Sequence, residues 1–245
     1  MLGLPAHVSA CLFDLDGVLT QTALVHHAAW KATFDAFLRQ WSQQHGRPFV
    51  GFADTDYHTY VDGRQRADGV RTFLASRGIV LPDGTPDDEP GAQTVNGIGN
   101  QKNLIVVEKI KSGFVQVYPG SVAYLHAVRD AGLRRGVVSA SANCKDVLDA
   151  AGIADLLEVR VDGITARAEG LPGKPAPDTF LAGARLLGVA PGDAVVFEDA
   201  LAGVAAARAG EFGYVVGVDR VGQADELIRH GADVVVSDLA ELLKV

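Results

Sequence analysis

Cys11-Leu12-Phe13-Asp14-Leu15-Asp16-Gly17-Val18-Leu19-Thr20 is an apolar run that delivers two carboxylates, one residue between them, into a glycine turn. Alternate side chains of a strand share a face. Asp14 and Asp16 are therefore expected to project together from a strand's carboxyl end, where open α/β sheets bind their ligands. Two like charges so close repel. Either a cation sits between them, or one is protonated, or one backbone turns away.

Outward from this stretch the chain changes character twice. From Thr22 to about His45, Trp30, Phe34, Phe37, Leu38 and Trp41 recur at helical spacing and call for a second surface to cover them. Gly46-Arg47-Pro48 ends that segment. A polar, aromatic stretch follows through Asp54, Tyr57 and Tyr60, then a helix-like order over Val70 to Ser76 and another helix over Asn103 to Lys111. The prolines, glycines and acids from Pro82 to Gly91 make a loop.

Beyond Tyr118-Pro119-Gly120, short β-rich runs at Gly136 to Ser139, Ala194 to Phe197, Tyr214 to Val218 and Asp233 to Val236 alternate with helical stretches. The helices are expected over Val122 to Ala131, Lys145 to Ala151, Asp178 to Leu187 and Leu201 to Ala209, with Leu156 to Val161 as a further short strand. Glycines at 132, 152, 188 and 210 stand where such helices end. This alternation predicts an α/β fold with a doubly wound parallel sheet, Rossmann-like, formed by residues 1–21 and 118–245. Residues 22–117 then form an inserted α-helical domain, with a hinge at Thr20 to Thr22 and Val115 to Pro119.

Composition narrows the partners. A net charge of -8 argues against nucleic acid or an anionic membrane surface, so any phosphate must meet a local positive site. With only two cysteines, Cys11 and Cys144, a disulfide scaffold is not expected and a reducing cytoplasm fits. There is neither a basic segment leading into an apolar stretch at the amino terminus nor a run of about 18 apolar residues, so secretion and membrane spanning are not expected.

Asp14 with Asp16, Ser139, Lys174, and Glu198 with Asp199 all fall at strand ends or in the loop before a helix, which a doubly wound sheet gathers into one crevice. Several carboxylates suit a hard cation such as Mg²⁺. A hydroxyl and an ammonium suit a phosphate bound against it. Asp14 can then serve as a nucleophile that accepts a phosphoryl group, and Asp16 as general acid and base. In Gly173-Lys174-Pro175-Ala176-Pro177-Asp178, two prolines stiffen the lysine's loop and Asp178 can cap the next helix.

Asp14-Leu15-Asp16-Gly17-Val18, Val138-Ser139-Ala140-Ser141, Gly173 to Asp178 and Phe197-Glu198-Asp199 resemble the four ordered motifs of the haloacid dehalogenase superfamily, whose members are mostly phosphatases and phosphomutases. Within it the chain is similar to the β-phosphoglucomutase group, which carries a helical cap after the first motif. The resemblance implies Mg²⁺ held by Asp14, the backbone carbonyl of Asp16, Glu198 and Asp199. It also implies phosphate contacts from Ser139, Ala140 and Lys174.

A mutase working through a sugar bisphosphate needs a second anion site. Candidates are Arg64, Arg66, Lys102, Ser141 and Asn143. Asp62-Gly63-Arg64-Gln65-Arg66 resembles the mutases' specificity loop, with Gly63 and Arg66 matching its glycine and phosphate-binding arginine. Lys102 matches a cap lysine, Ser141 and Asn143 match rim residues, and Thr22 matches a hinge residue that touches the acid-base aspartate. His26 and Trp30, at i and i+4 on one helix face, match a histidine and a tryptophan near the sugar. The chain departs from the group at Asp62 and Ala142, where lysines are common, at Gln21 in place of an acid, and in the long Asp83 to Gly91 loop.

The resulting expectation is a cytoplasmic, monomeric, Mg²⁺-dependent enzyme that interconverts β-glucose 1-phosphate and glucose 6-phosphate through an aspartyl-phosphate. Hydrolysis of a small sugar phosphate is the alternative. A non-catalytic sugar-phosphate sensor is the alternative of another class.

Overall fold

A computed structural model describes residues 2–244. The chain divides into two compact units, Met1–Thr22 with Val115–Val245, and Ala23–Phe114. The first unit takes in both connecting segments, for a physical reason. Gln21 N–H donates to Gln116 O at 2.8 Å and Tyr118 N–H to Leu19 O at 3.0 Å, so both connecting segments pair with each other inside the first unit.

The inserted unit is helical: α1 (Thr22–His45), α2 (Asp54–Asp56) running into a π-helical turn (Tyr57–Val61), α3 (Arg66–Ser76) and α4 (Val95–Lys111). The stripe read on α1 is its core face. Trp30, Phe34, Phe37 and Leu38 are buried with Phe52, Tyr57, Phe73, Leu74 and Ile98, and the Phe34 and Phe73 rings lie 4.3 Å apart. Helix α4 starts well before the expected Asn103. Thr94 accepts the Gly97 N–H at 2.9 Å, and burial of Val95 and Ile98 outweighs the poor helix propensity of Gly97 and Gly99. Likewise α3 starts at Arg66 rather than Val70, and the polar, aromatic stretch from Asp54 to Val61 is helical. Pro82 to Gly91 is free of helix and strand, held by Arg71 on Asp83 and by Asn96 and Asn100 on loop carbonyls.

The other unit is built on six parallel strands: β1 (Ala10–Phe13), β2 (Arg134–Val138), β3 (Val159–Val161), β4 (Ala194–Glu198), β5 (Tyr214–Val218) and β6 (Val234–Val236). Their order is β3-β2-β1-β4-β5-β6. Strand order reverses between β1 and β4, and that switch point is where such sheets open a crevice. The helices are α5 (Pro119–Asp130), α6 (Cys144–Ala151), α7 (Gly163–Glu169), α8 (Asp178–Leu187), α9 (Leu201–Ala209) and α10 (Ala224–His230). Of these, α7 and α10 escaped the sequence reading, being short helices without a long apolar stripe. Strand β2 reaches back to Arg134, which pairs with Ala10 although its side chain is exposed. Strand β3 is shorter than expected, because Ala154–Leu156 closes a 3₁₀ turn first.

Every residue of β1 is buried, as a strand covered on both faces must be. Ala10 and Leu12 share a cluster with Phe180 and Leu187 of α8, while Phe13, on the opposite face, meets Tyr124 of α5. Phe13 also stacks on Phe197 at 4.5 Å. These rings immediately precede Asp14 and Glu198, so the two acids leave the sheet from a rigid base. Replacing Phe197 by Ala is expected to cost about 3–5 kcal/mol of stability, read as a fall in the urea midpoint.

Candidate active site

Strands β1 and β4 run side by side and end together, with Phe13 paired to Phe197 and Asp14 N–H donating to Phe197 O at 2.9 Å. Asp14 and Glu198 therefore emerge as neighbours. Lys174, from the proline-stiffened loop before α8, reaches both: Nζ is 2.5 Å from Asp14 Oδ1 and 2.5 Å from Glu198 Oε1. Lys174 lies over the Phe180 ring at 4.8 Å and is itself buried. Glu198 Oε2 accepts the Ala200 N–H at 2.7 Å, which fixes its second oxygen.

Asp14, Glu198 and Asp199 offer carboxylate oxygens within 4.8 Å of one another, and all three are buried. Burial pushes the Asp14 carboxyl well up; the Lys174 ammonium opposes this, while Glu198 and Asp16 add to it. Burial works against charge on Lys174 too, but Asp14 and Glu198 outweigh it and hold the ammonium above its ordinary value. One ammonium thus faces three buried carboxylates, a balance that calls for further positive charge.

The backbone leaves room for it. Gly17 has φ +96°, and a Cβ there would lie 1.8 Å from Asp199 Oδ2. Gly203 makes similar space on the other side, where a Cβ would lie 1.7 Å from Glu198 Oε1. An all-oxygen, acidic, tightly walled donor set fits a hard divalent cation.

Asp16 has different company, so the two aspartates of the opening stretch are separated by their partners. Its Oδ1 accepts the Thr22 hydroxyl, and its Oδ2 lies 3.4 Å from Ser139 Oγ. Thr22 is linked in turn to Thr20 at 2.6 Å. The chain turns directly after the pair, at Gly17, while Asp16 still adds to the upward push on Asp14.

Ser139 follows β2 and accepts the Ser141 N–H at 3.1 Å; Ser141 Oγ accepts the Asn143 N–H at 3.2 Å. Ser139, Ala140, Ser141 and Asn143 thus share one tight turn leading into α6, together with Ala142. The carboxyl end of β5 carries two residues that the sequence reading missed, Arg220 and Gln223. Asp-Arg-Val-Gly-Gln directly after an apolar strand was the available signal.

Within the inserted unit, Lys102 is buried, its Nζ 2.7 Å from His26 Nδ1 and 5.0 Å from the Trp30 ring centroid. An ammonium can only donate, so Nδ1 accepts. Gly63 has φ +71° in the turn before α3, and Arg66 opens that helix with Nη1 3.3 Å from Gly99 O. Arg64 lies between them. Asp62 Oδ2 lies 3.5 Å from His58 Nδ1. Gln21 Nε2, on the connector, donates to Val117 O at 3.4 Å.

A haloacid dehalogenase-like hydrolase profile matches residues 8–210. A β-phosphoglucomutase of Mycobacterium bovis is 58% identical over 247 residues, covering 99% of this chain and 94% of its own. A β-phosphoglucomutase of Bacillus subtilis is 29% identical, over 96% of this chain and 92% of its own. Among solved structures, a β-phosphoglucomutase from Clostridium difficile superimposes with a TM-score of 0.73 at 25% identity, covering 96% of this chain and 93% of that one. No helix among the described residues is long and apolar enough to cross a membrane.

Replacing Lys174 by Met leaves Asp14 and Glu198 buried without their ammonium. The expected loss is about 3–5 kcal/mol of unfolding free energy at neutral pH. It should shrink in acid: with a native Asp14 value above the unfolded one, the native state takes up the proton first, and stability falls as pH rises through that native value. Denaturant titrations of the metal-free variant across pH check both the size and the sign.

Proposed function

The chain belongs to the haloacid dehalogenase-like hydrolase family, and on that footing we propose that it is a Mg²⁺-dependent β-phosphoglucomutase, interconverting β-glucose 1-phosphate and glucose 6-phosphate through a sugar bisphosphate. The near-full-length likeness to a mutase carries the choice of reaction. The buried Asp14–Lys174–Glu198 cluster carries its chemistry.

In this reading Lys174 engages Asp14 Oδ1, and the other carboxylate oxygen attacks phosphorus. The bond from phosphorus to the sugar oxygen breaks, and Asp16 gives that oxygen its proton. In the reverse transfer Asp16 takes the proton of a sugar hydroxyl, the freed oxygen bonds to phosphorus, and the acyl-phosphate bond to Asp14 breaks. Proton transfer of this kind is worth typically ~10²–10⁴ in rate. Thr22, bonded to Oδ1 of Asp16, orients the carboxyl for both directions. Asp14, the Asp16 carbonyl, Glu198 and Asp199 would hold Mg²⁺, which when bound neutralises charge on the transferring group. Ser139, Ala140 and Lys174 bind the reacting phosphate.

The second phosphate and the sugar fall to Arg66, Lys102, Gly63, His26 and Trp30 of the inserted unit and to Ser141 and Asn143 of the β2 turn. The enzyme acts as a cytoplasmic monomer on a free small-molecule sugar phosphate. Asp62 and Ala142, where the group commonly has lysines, either retune the bisphosphate site or mark the competing outcome, simple hydrolysis of a sugar phosphate.

A coupled assay with β-glucose 1-phosphate, Mg²⁺ and a trace of glucose 1,6-bisphosphate decides between them. Glucose 6-phosphate should form without inorganic phosphate; phosphate release without glucose 6-phosphate overturns the mutase reading. Asp14→Asn should reduce turnover below detection, and Asp16→Asn should slow it by about 10²–10⁴. Arg66→Ala should act mainly on KM.

A further inference from the structure

The turn after β5 lies outside all four motifs, yet it touches the backbone of two of them. Asp219 Oδ1 accepts the N–H groups of Val221, Gly222 and Gln223 at 3.1, 2.7 and 2.9 Å, so the turn is internally braced. Asp219 N–H is fixed in turn to Val236 O at 2.8 Å. Two side chains reach out from this base. Arg220 Nε donates to Gly17 O at 2.7 Å, and Gln223 Nε2 donates to Asp199 O at 2.9 Å.

Those two carbonyls flank the acidic cluster. Gly17 follows Asp16 and is the residue whose missing Cβ makes room for the Asp199 carboxylate. Asp199 itself supplies a cluster oxygen. Arg220 is fixed by more than one bond: Nη1 donates to Ser237 O at 2.6 Å, and the guanidinium lies 3.5 Å over the Tyr118 ring. Its Nη2 is buried with no hydrogen-bond partner among the described residues, so the side chain's placement is set by its other donors.

We propose that the Asp219–Gln223 turn is a two-armed positioning element for the cation site. Arg220 and Gln223 fix the backbone beside Asp16 and at Asp199, and thereby set the carboxylate spacing on which divalent-cation affinity depends. The proposal rests on the reading that Asp14, Glu198 and Asp199 bind such a cation. Neither residue touches the reacting groups. Partners that orient metal ligands from behind typically carry about 10–100-fold in affinity.

The test is Mn²⁺ binding to the full chain by calorimetry and electron paramagnetic resonance, with wild type, Gln223→Met, Arg220→Met and Asp199→Asn compared. Metal-free melting is recorded for each, and the Mg²⁺ dependence of the rate for those that turn over. Gln223→Met and Arg220→Met should each weaken Mn²⁺ by about 10–100-fold. The Mg²⁺ concentration for half-maximal rate should rise, with kcat largely kept at saturation and metal-free melting unchanged for Gln223→Met. If both variants bind Mn²⁺ like wild type while Asp199→Asn does not, the positioning role is overturned and the cation site stands. A variant that melts earlier yet keeps its affinity also overturns it. If wild type fails to bind, or Asp199→Asn binds as tightly, the cation site itself falls. Should Arg220→Met not fold, Gln223→Met decides alone.

Discussion

Lys174 Nζ is shared between Asp14 and Glu198 at 2.5 Å each, and this one buried ammonium joins the ends of two central strands to a loop from elsewhere in the chain. Desolvating such charges is tolerable only where their geometry is fixed on all sides. The stacked Phe13 and Phe197 rings, with Tyr124 edge-on to both, supply a rigid base, Ala200 N–H locks Glu198, and two prolines stiffen the lysine's loop. The cluster is nonetheless acidic in sum. A site left short of positive charge at the switch point of a parallel sheet is matched to a ligand that brings the charge with it.

Much of this was legible because the decisive residues are local signals. An apolar run ending in Asp14-Leu15-Asp16-Gly17 announces a strand, a turn and two acids in one stretch, and alternation of strand and helix after Tyr118 fixes a parallel sheet. What strand periodicity does not carry is the turn itself. Spacing alone places Asp14 and Asp16 on one face, whereas the positive φ of Gly17 belongs to a turn that gives Asp16 to Thr22 and Ser139. The early start of α4 was hidden for a similar reason, since its cap at Thr94 and its contacts at Val95 and Ile98 are tertiary facts that outweigh local propensity.

In the inserted unit the spacing of His26 and Trp30 on one helix face was plain, but their meeting with Lys102 depends on α4 packing beside α1. A buried lysine over an indole face, donating to a histidine nitrogen, is a preorganised cation rather than a solvated one. For Arg220 and Gln223 the sequence marks a polar turn after an apolar strand but not their partners, which are backbone carbonyls of Gly17 and Asp199.

The pairing of the two connectors has a consequence for how this chain folds. Leu19 to Gln21 and Gln116 to Tyr118 are hydrogen-bonded to each other, so the polypeptide leaves the sheet unit and returns to it at one place. Strand β1 emerges first during synthesis, yet its neighbours β2 and β4 follow only after the whole inserted unit. Bringing such distant segments together carries a loop-closure entropy that slows non-local pairing. The inserted unit has a hydrophobic core of its own. A segment able to close on a core of its own would replace a long flexible loop with a compact body, and its paired ends would hold the central strand beside the place where its partners enter.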